Sequence, residues 1–169
     1  MPAAVFPVRS AVRQSAGVEI RVAATADAGS LAELVLLFAG DDGTLSDRQR
    51  FASDLLGWWE AHRDSHLPFL AVPPSGSPVG MAWLALTARV PRPGGTARLS
   101  GDVQSLYVVP GHRSAGVGTA LVQSVVRHAE SLGVEHVTVH GYERSRRLYG
   151  RAGFVQSDDL LVWTSVDRG

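Results

Sequence analysis

The sequence predicts an α/β protein with a mixed, largely antiparallel central sheet flanked by helices. Some segments alternate apolar and polar residues with a period of two, and others repeat near 3.6 residues, which indicates strands and helices respectively. These segments follow the order strand, helix, helix, several strands, and then strand–helix–strand–helix–strand. The chain has 169 residues, of which 45% are hydrophobic, and it shows no internal repeat. This length suits one domain with one sizeable core.

The first third of the chain is predicted to hold a strand and two helices. Residues 1–16 lack periodicity and predict a loose N-terminal tail, which leaves a single domain over residues 17–169. The alternation in Val18–Val22 predicts a strand. A helix capped by Thr25 or Asp27 follows, and GDDG at residues 40–43 ends it. The apolar positions of this helix are Leu31, Leu34, Val35 and Phe38; those of a second helix, Ser46–His62, are Phe51, Leu55 and Trp58 or Trp59.

The remainder alternates strands with helices and turns. Pro, Gly and Ser clusters mark the connections between the segments. In chain order we expect strands at Phe69–Val72 and Val79–Val90, a loop at Pro91–Gly101, a strand at Val103–Val109, a helix from about Gly116 to Leu132, a strand at Val134–Val139, a short helix at Glu143–Arg151, and two short strands within Phe154–Val166.

Composition and charge narrow the function classes. The net charge is zero and the pI is about 7.0, whereas nucleic-acid binding favours a basic surface, so we expect no nucleic-acid partner. No apolar run reaches the length of a membrane span, and the first residues lack the apolar core of a signal peptide. The chain has no cysteine, which excludes a disulfide framework and a cysteine nucleophile. We therefore expect a cytoplasmic protein without a membrane partner, and the absence of lysine and asparagine indicates GC-rich bacterial coding.

The segment Val103–Leu121, VQSLYVVPGHRSAGVGTAL, carries the strongest functional signal. It predicts a strand, a Pro-Gly break, a basic turn with two glycines, and a helix start. The first N–H groups of a helix lack intrahelical partners and favour anions, so this arrangement indicates a phosphate site. A P-loop would need a lysine, and a dinucleotide fingerprint would need a small residue where Leu121 stands. The pattern that remains is Arg113-x-x-Gly116-x-Gly118.

This pattern resembles the pyrophosphate signature of the Gcn5-related N-acetyltransferase (GNAT) family, which binds coenzyme A. LYVVP before it and LYGRAGF at residues 148–154 resemble neighbouring segments of that family, and the likeness spans residues 17–166. The resemblance implies the GNAT fold, acetyl-CoA as co-substrate without a metal, and direct transfer of an acetyl group to a primary amine of a small molecule or protein. The enzyme class would be an acyltransferase for groups other than aminoacyl. The implied cofactor-binding residues are Val108, Val109, Pro110, Arg113, Ser114, Ala115, Gly116, Val117, Gly118 and Thr119.

The resemblance also implies roles for catalytic residues. Tyr149 stands where the family often has a tyrosine that protonates the leaving thiolate, and a phenol is protonated at neutral pH. The backbone N–H of Val108 would polarise the acetyl carbonyl. Asp102 shares a strand face with Gln104 and is a candidate general base that would take the proton of the amine through a water molecule. His140 is the alternative candidate for this base. The family often has asparagine where this chain has Tyr142.

The resemblance also indicates where the acceptor amine would bind. In the family, the first two helices and their loop border the acceptor site, which makes Asp41, Asp42, Trp58 and Trp83 candidate contacts. His62 and His66 have helical spacing but lack the other features of a zinc motif, so we expect no metal. Two alternatives stay open: a catalytically weak acyl-CoA-binding module, and an acetyltransferase toxin acting on aminoacyl-tRNA. A homodimer is compatible with the sequence.

Overall fold

The computed structural model describes residues 13–15, 17–41 and 43–162. Within these residues a six-stranded sheet carries helices on both faces. The elements are β1 Arg13–Ser15, β2 Val18–Val22, α1 Ala28–Ala39, α2 Leu45–Ala61, β3 His66–Val72, β4 Gly80–Ala88, β5 Leu99–Val108, α3 Val117–Ser131, β6 Val134–Val139 and α4 Arg146–Arg151. Three 3-10 turns, Thr25–Asp27, Pro110–His112 and Glu143–Ser145, precede α1, α3 and α4.

The strands lie in chain order, β1-β2-β3-β4-β5-β6. The first five pair antiparallel with their neighbours, although α1 and α2 separate β2 from β3 along the chain. β6 pairs parallel to β5, since α3 carries the chain back across the sheet between them. The mixed, largely antiparallel sheet is therefore confirmed.

Each face of the sheet buries a separate cluster of apolar side chains. On one face α3 packs Val117, Leu121, Val125 and Ala129 against β2, β3, β4 and β5. These four positions recur at helical spacing on one side of α3, which gives the helix its buried stripe. On the other face α1 and α2 cover Leu70, Met81 and Trp83 of the sheet. The end of β5, which carries part of the LYVVP motif, thus packs against helices on both faces of the sheet.

Most helix and strand positions agree with the sequence pattern, and the differences are local. β2 and β6 have the predicted bounds, while β5 begins at Leu99, three residues inside the predicted loop. Trp59 rather than Trp58 is the buried member of its pair, and Phe38 is half exposed at 50% instead of facing inward. Gly40 adopts the left-handed conformation, φ 70°, that ends α1.

The two ends of the chain differ most from the predictions. Three residues of the predicted tail form β1, which pairs with β2 through Arg13↔Ile20 to Ser15↔Val18. Residues 1–12 lie outside the described part. The prediction of two strands within Phe154–Val166 is wrong for residues 154–162, because these residues form no strand. Its apolar side chains Val155 and Leu161 are 87% and 93% exposed, so alternation without a partner strand does not produce a strand. Residues 163–166 lie outside the described part.

Candidate active site

A gap between β5 and β6 forms the centre of the candidate site. The two parallel strands pair from Leu99↔Val134 to Val103↔Val139, where β6 ends. β5 continues to Val108, paired on its other side with β4 through Tyr107 and Val108. The last five residues of β5 therefore present one backbone edge that β6 does not cover. An open strand edge offers N–H and C=O groups to a ligand with amide groups.

A β-bulge at Ser105 divides β5 into two parts. Gln104 pairs with Trp83 and Tyr107 with Met81, so three steps on β5 match two steps on β4. Ser105 absorbs the extra residue with φ 50°, a left-handed conformation that is uncommon for serine. Because of this extra residue, the side chains beyond Ser105 no longer follow the odd–even alternation between the two sheet faces that holds before it. Val103, Leu106 and Val108 pack on the α3 side and Tyr107 packs on the α1–α2 side, while Val109 contacts both clusters.

The turn between β5 and α3 has the geometry expected of an anion site. Ser114 and Gly116 are both left-handed, with φ 62° and φ 83°, and Gly116 is the N-cap of α3. The first helical hydrogen bond runs from the N–H of Ala120 to the carbonyl of Gly116, 3.0 Å. The N–H groups of Val117, Gly118 and Thr119 precede it and lack helical acceptors. The first turn of α3 has no acidic side chain, so the positive end of the helix dipole is not neutralised.

Arg113 links this turn to the end of β5. Its Nε donates a hydrogen bond to the carbonyl of Val108, 2.8 Å, and its guanidinium lies 5.5 Å from the centre of the Tyr107 ring. The N–H of Val109 donates to the carbonyl of Val79 on the β4 side, 2.9 Å. Since backbone groups alternate in direction along a strand, the N–H of Val108 points to the opposite side, into the gap. Pro110 begins the exposed 3-10 turn, and Ser114 and Ala115 are exposed beside it.

Gly118 has a structural reason that the sequence reading missed. The sequence pattern places Gly118 in the cofactor-binding turn, but its nearest neighbour in the structure is a side chain of α4. A Cβ at position 118 would lie 2.7 Å from Cδ1 of Leu148, which is closer than real Cβ contacts. Gly118 is buried, and its missing side chain lets α4 pack on the start of α3. Its N–H still belongs to the open first turn of the helix.

Tyr149 lies on α4 beside the gap and is 9% exposed. Its ring contacts Phe154 at 5.6 Å between centres, and it abuts Gly141, where a Cβ would come within 3.2 Å of the ring. Its hydroxyl makes no hydrogen bond to the described residues, and it is not sealed from solvent. Burial, and secondly the negative charge of Asp102, raise the pKa of Tyr149. Both effects hold the phenol in its protonated form at neutral pH.

Asp102 is half-buried on β5 and anchored by two neighbours. Oγ1 of Thr138 donates to one carboxylate oxygen, 3.1 Å, and Nε2 of Gln104 donates to the other, 3.2 Å. The predicted common face of Asp102 and Gln104 is confirmed. Thr138 was missed by the sequence reading; the alternation of β6 alone could have placed it on this face. His140, by contrast, is exposed just beyond β6 and makes no hydrogen bond to the described residues.

The candidate acceptor residues are divided between two places. Asp41 is exposed and its carboxylate accepts the N–H of Gly43, 2.8 Å, so it stabilises the loop after α1. Asp42 lies outside the described residues. Trp58 and Trp83 contact each other at 6.1 Å between ring centres on the same sheet face as Asp102. His62 caps the end of α2 while His66 begins β3, so the two histidines do not share a helix.

Two searches of the described residues gave negative findings. No group of three or more histidine, aspartate or glutamate side chains lies within reach of one metal ion in residues 13–15, 17–41 and 43–162. In the same ranges, every helix is too short or too polar to cross a lipid bilayer.

Comparison with known proteins gives consistent results. Residues 33–154 match the model of the acetyltransferase (GNAT) family. An acetyltransferase from Trypanosoma brucei is 24% identical, with a TM-score of 0.70 over 87% of this chain and 99% of its own. An acetyltransferase from Clostridium acetobutylicum, crystallised with acetyl-CoA, is 16% identical, with a TM-score of 0.64 over 87% and 96%. Glucosamine-6-phosphate N-acetyltransferase from Arabidopsis thaliana is 14% identical, with a TM-score of 0.69 over 88% of this chain and 99% of its own. No curated protein matches the sequence.

Proposed function

Because the chain belongs to the GNAT acetyltransferase family, we propose that it is a cytoplasmic N-acetyltransferase that moves an acetyl group from acetyl-CoA directly to a primary amine. The acceptor is a small molecule or a protein. The observation that carries this proposal is the gap between β5 and β6, which has the open first turn of α3 at one end and, at the other, Asp102, whose charge acts on Tyr149.

The residues around the gap fit coenzyme A. The pyrophosphate would be held by the N–H groups of Val117, Gly118 and Thr119, where the helix dipole favours negative charge and no acidic side chain competes. The left-handed Ser114 and Gly116 turn the backbone so that successive N–H groups converge, as in an anion-binding nest. The uncovered edge of β5 matches an amide-containing arm. When bound, acetyl-CoA supplies an activated acetyl carbonyl and a thiolate leaving group.

Val108 would stabilise the negative charge that develops on the carbonyl oxygen. Its N–H points into the gap, and the carbonyl of the same residue, in the following peptide, accepts a hydrogen bond from Arg113 that steadies the end of β5. A donor that is positioned before the reaction costs no reorganisation in the transition state. Gly80 of β4 lies opposite Val108, and its missing side chain lets β4 and the end of β5 approach closely. A Cβ at position 80 would lie 2.9 Å from the carbonyl oxygen of Tyr107.

Tyr149 would donate a proton to the leaving thiolate. Its hydroxyl has no partner to break among the described residues, and its raised pKa keeps the proton on the oxygen at neutral pH. Asp102 would take the proton of the amine through a water molecule. The hydrogen bonds from Thr138 and Gln104 fix both carboxylate oxygens in place. His140 is the weaker candidate, because nothing in the described residues orients its exposed ring.

The test is a matched pair of substitutions in the phosphate turn. Ala115 is exposed, so Ala115→Glu and Ala115→Gln should both fold and differ only in one negative charge. We expect Ala115→Glu to weaken coenzyme A binding at least tenfold relative to Ala115→Gln, or about 1.4 kcal/mol, in calorimetric titrations at low salt. The difference should shrink as salt screens the charges.

A parallel assay follows thiol release from acetyl-CoA with a pool of primary amines. Thiol release that depends on amine supports an enzyme. Coenzyme A binding without such release would identify the catalytically weak binding module instead. Equal affinity of the two Ala115 variants and the wild type would remove the cofactor site from this turn.

A further inference from the structure

Four aromatic rings form a cluster on the sheet face that also carries Asp102. Trp58 of α2 stacks on His62 at 4.5 Å between ring centres with an angle of 21°. Its edge contacts His66 of β3 at 4.9 Å and Trp83 of β4 at 6.1 Å. Trp58 is nevertheless 43% exposed. A large ring that is exposed and yet fixed by three neighbours loses little entropy when a ligand stacks on it.

The strand register connects this cluster to the candidate base. His66 lies opposite Ala85, which lies opposite Asp102, and Trp83 lies opposite Gln104. Directly opposite residues in antiparallel strands share a face, so the rings and the Asp102–Gln104 pair form one surface. Neighbouring strands are about 4.8 Å apart, which places Trp83 about 5 Å and His66 about 10 Å from the β5 backbone. A ligand whose amine lies at Asp102 therefore needs only a short alkyl link to bring a ring to this cluster.

The electrostatics of this surface suit a ligand that carries both an ammonium group and an aromatic ring. Burial, and secondly the charge of His62, lower the pKa of His66, so its imidazole is neutral near pH 7. Oγ of Ser65 lies 2.9 Å from Nδ1 of His66 and fixes the ring. A neutral ring does not repel an ammonium group, whereas the carboxylate of Asp102 attracts one. The face thus has an anionic end for the amine and an aromatic end for its substituent.

We propose that the acceptor is an arylalkylamine, a primary amine joined by about two carbons to an aromatic ring, and that the ring stacks on Trp58 while the amine lies at Asp102 and Gln104. This inference rests on the proposed acetyltransferase function. It adds the chemical class of the acceptor and a specificity-determining role for Trp58.

The experiment compares three amines as substrates of the full-length protein with acetyl-CoA: 2-phenylethylamine, n-butylamine and glucosamine. Thiol release gives kcat/KM for each. We expect the value for 2-phenylethylamine to exceed both others at least tenfold. Trp58→Leu should lower it at least tenfold through KM and change the value for n-butylamine less than twofold. Trp58→Phe, which keeps an aromatic face, should restore most of the loss.

Leu45→Ala is the matched control, because Leu45 is 72% exposed at the opposite end of α2 and contacts no ring of the cluster. It should change none of the three values. A preference for glucosamine or n-butylamine would overturn the inference and leave the acetyltransferase function standing. An equal loss for all three amines in Trp58→Leu would also overturn it. No thiol release with any amine, together with no coenzyme A binding, would remove the proposed function and this inference together.

Discussion

Replacing Tyr149 with phenylalanine tests the proposed acid with little disturbance to the fold. The ring contact with Phe154 at 5.6 Å remains, and the hydroxyl has no hydrogen bond to lose among the described residues. A hydrogen bond contributes about 1 kcal/mol to stability, so the free energy of unfolding should change by less than that amount. For a domain of this size the melting temperature should stay within about 4 °C of the wild type.

The expected effect on catalysis is much larger. A positioned general acid contributes on the order of 100-fold, which corresponds to about 2.7 kcal/mol of transition-state stabilisation. We therefore expect kcat for thiol release from acetyl-CoA to fall about 100-fold in Tyr149→Phe, while calorimetry shows unchanged coenzyme A affinity. Phe154→Leu is the control, because it disturbs the same ring contact and keeps the hydroxyl. A Tyr149→Phe variant with wild-type kcat would refute the reasoning and leave Tyr149 as a packing residue.

The pH dependence of the rate tests the protonation of the Tyr149 hydroxyl independently. Burial and the Asp102 carboxylate raise the pKa of Tyr149 above its ordinary value of about 10. The phenol consequently stays protonated at and below pH 10. The wild-type rate should rise with pH as the amine becomes neutral and should show no falling limb below about pH 10. A falling limb between pH 7 and 9 that disappears in Tyr149→Phe would contradict the raised pKa.

Three further predictions concern the base, the helix contact and an ion pair. Asp102→Asn should lower kcat/KM, and higher pH should partly restore it as neutral amine becomes available. Gly118→Val should destabilise the fold by about 1–3 kcal/mol in urea titrations, since its Cβ would lie 2.7 Å from Leu148 Cδ1. Asp27→Asn should cost about 1–2 kcal/mol at pH 7, because it breaks the 2.7 Å pair with Arg21. That pair lowers the pKa of Asp27, so the stabilisation is present above about pH 4 and is lost as pH falls below it.

Each of these predictions has a control and a contrary outcome. His140→Gln should be mild; if it abolishes the pH dependence instead, His140 is the base, and if neither variant slows turnover, neither residue is. Gly111→Val is the control for the glycine contact, since a Cβ there meets nothing within 4 Å. Equal stability of the two glycine variants would contradict the packing argument. A stability difference between Asp27→Asn and wild type that persists at pH 2 would contradict the ion-pair argument.

The sequence predicted the fold well where periodicity and turn chemistry act locally. The β-branched residues of Val134–Val139 and the glycine at position 133, φ 71°, indicate β6 and the end of α3 without reference to the rest of the chain. The glycine turn before α3 was predictable for the same reason, because a glycine and a helix start are local signals. Side-chain identity contributes little there.

Features that depend on neighbours across the fold were not predictable. Ser105 has no sequence signal for a bulge, since serine rarely adopts φ 50° and only the pairing with β4 reveals the extra residue. Gly118 was assigned to the ligand because Leu148, its actual neighbour, lies 30 residues later on another helix. The aromatic cluster joins α2, β3 and β4, whose alignment is set by strand register rather than by spacing in the chain.

The bulge at Ser105 also bears on how enzymes of this design can be altered. Residues before it, Asp102 and Gln104, face the surface that we propose for the acceptor, and the edge after it, ending at Val108, is the one that we propose for the acetyl donor. A single residue separates the two tasks along one strand. Substitutions at Gln104, which carries no proposed chemical step, should therefore change acceptor preference and leave the donor edge undisturbed. Deleting Ser105 would instead remove the bulge: Leu106 would follow Gln104 directly, Tyr107 would still pair with Met81, and the left-handed kink between the two parts of β5 would be lost.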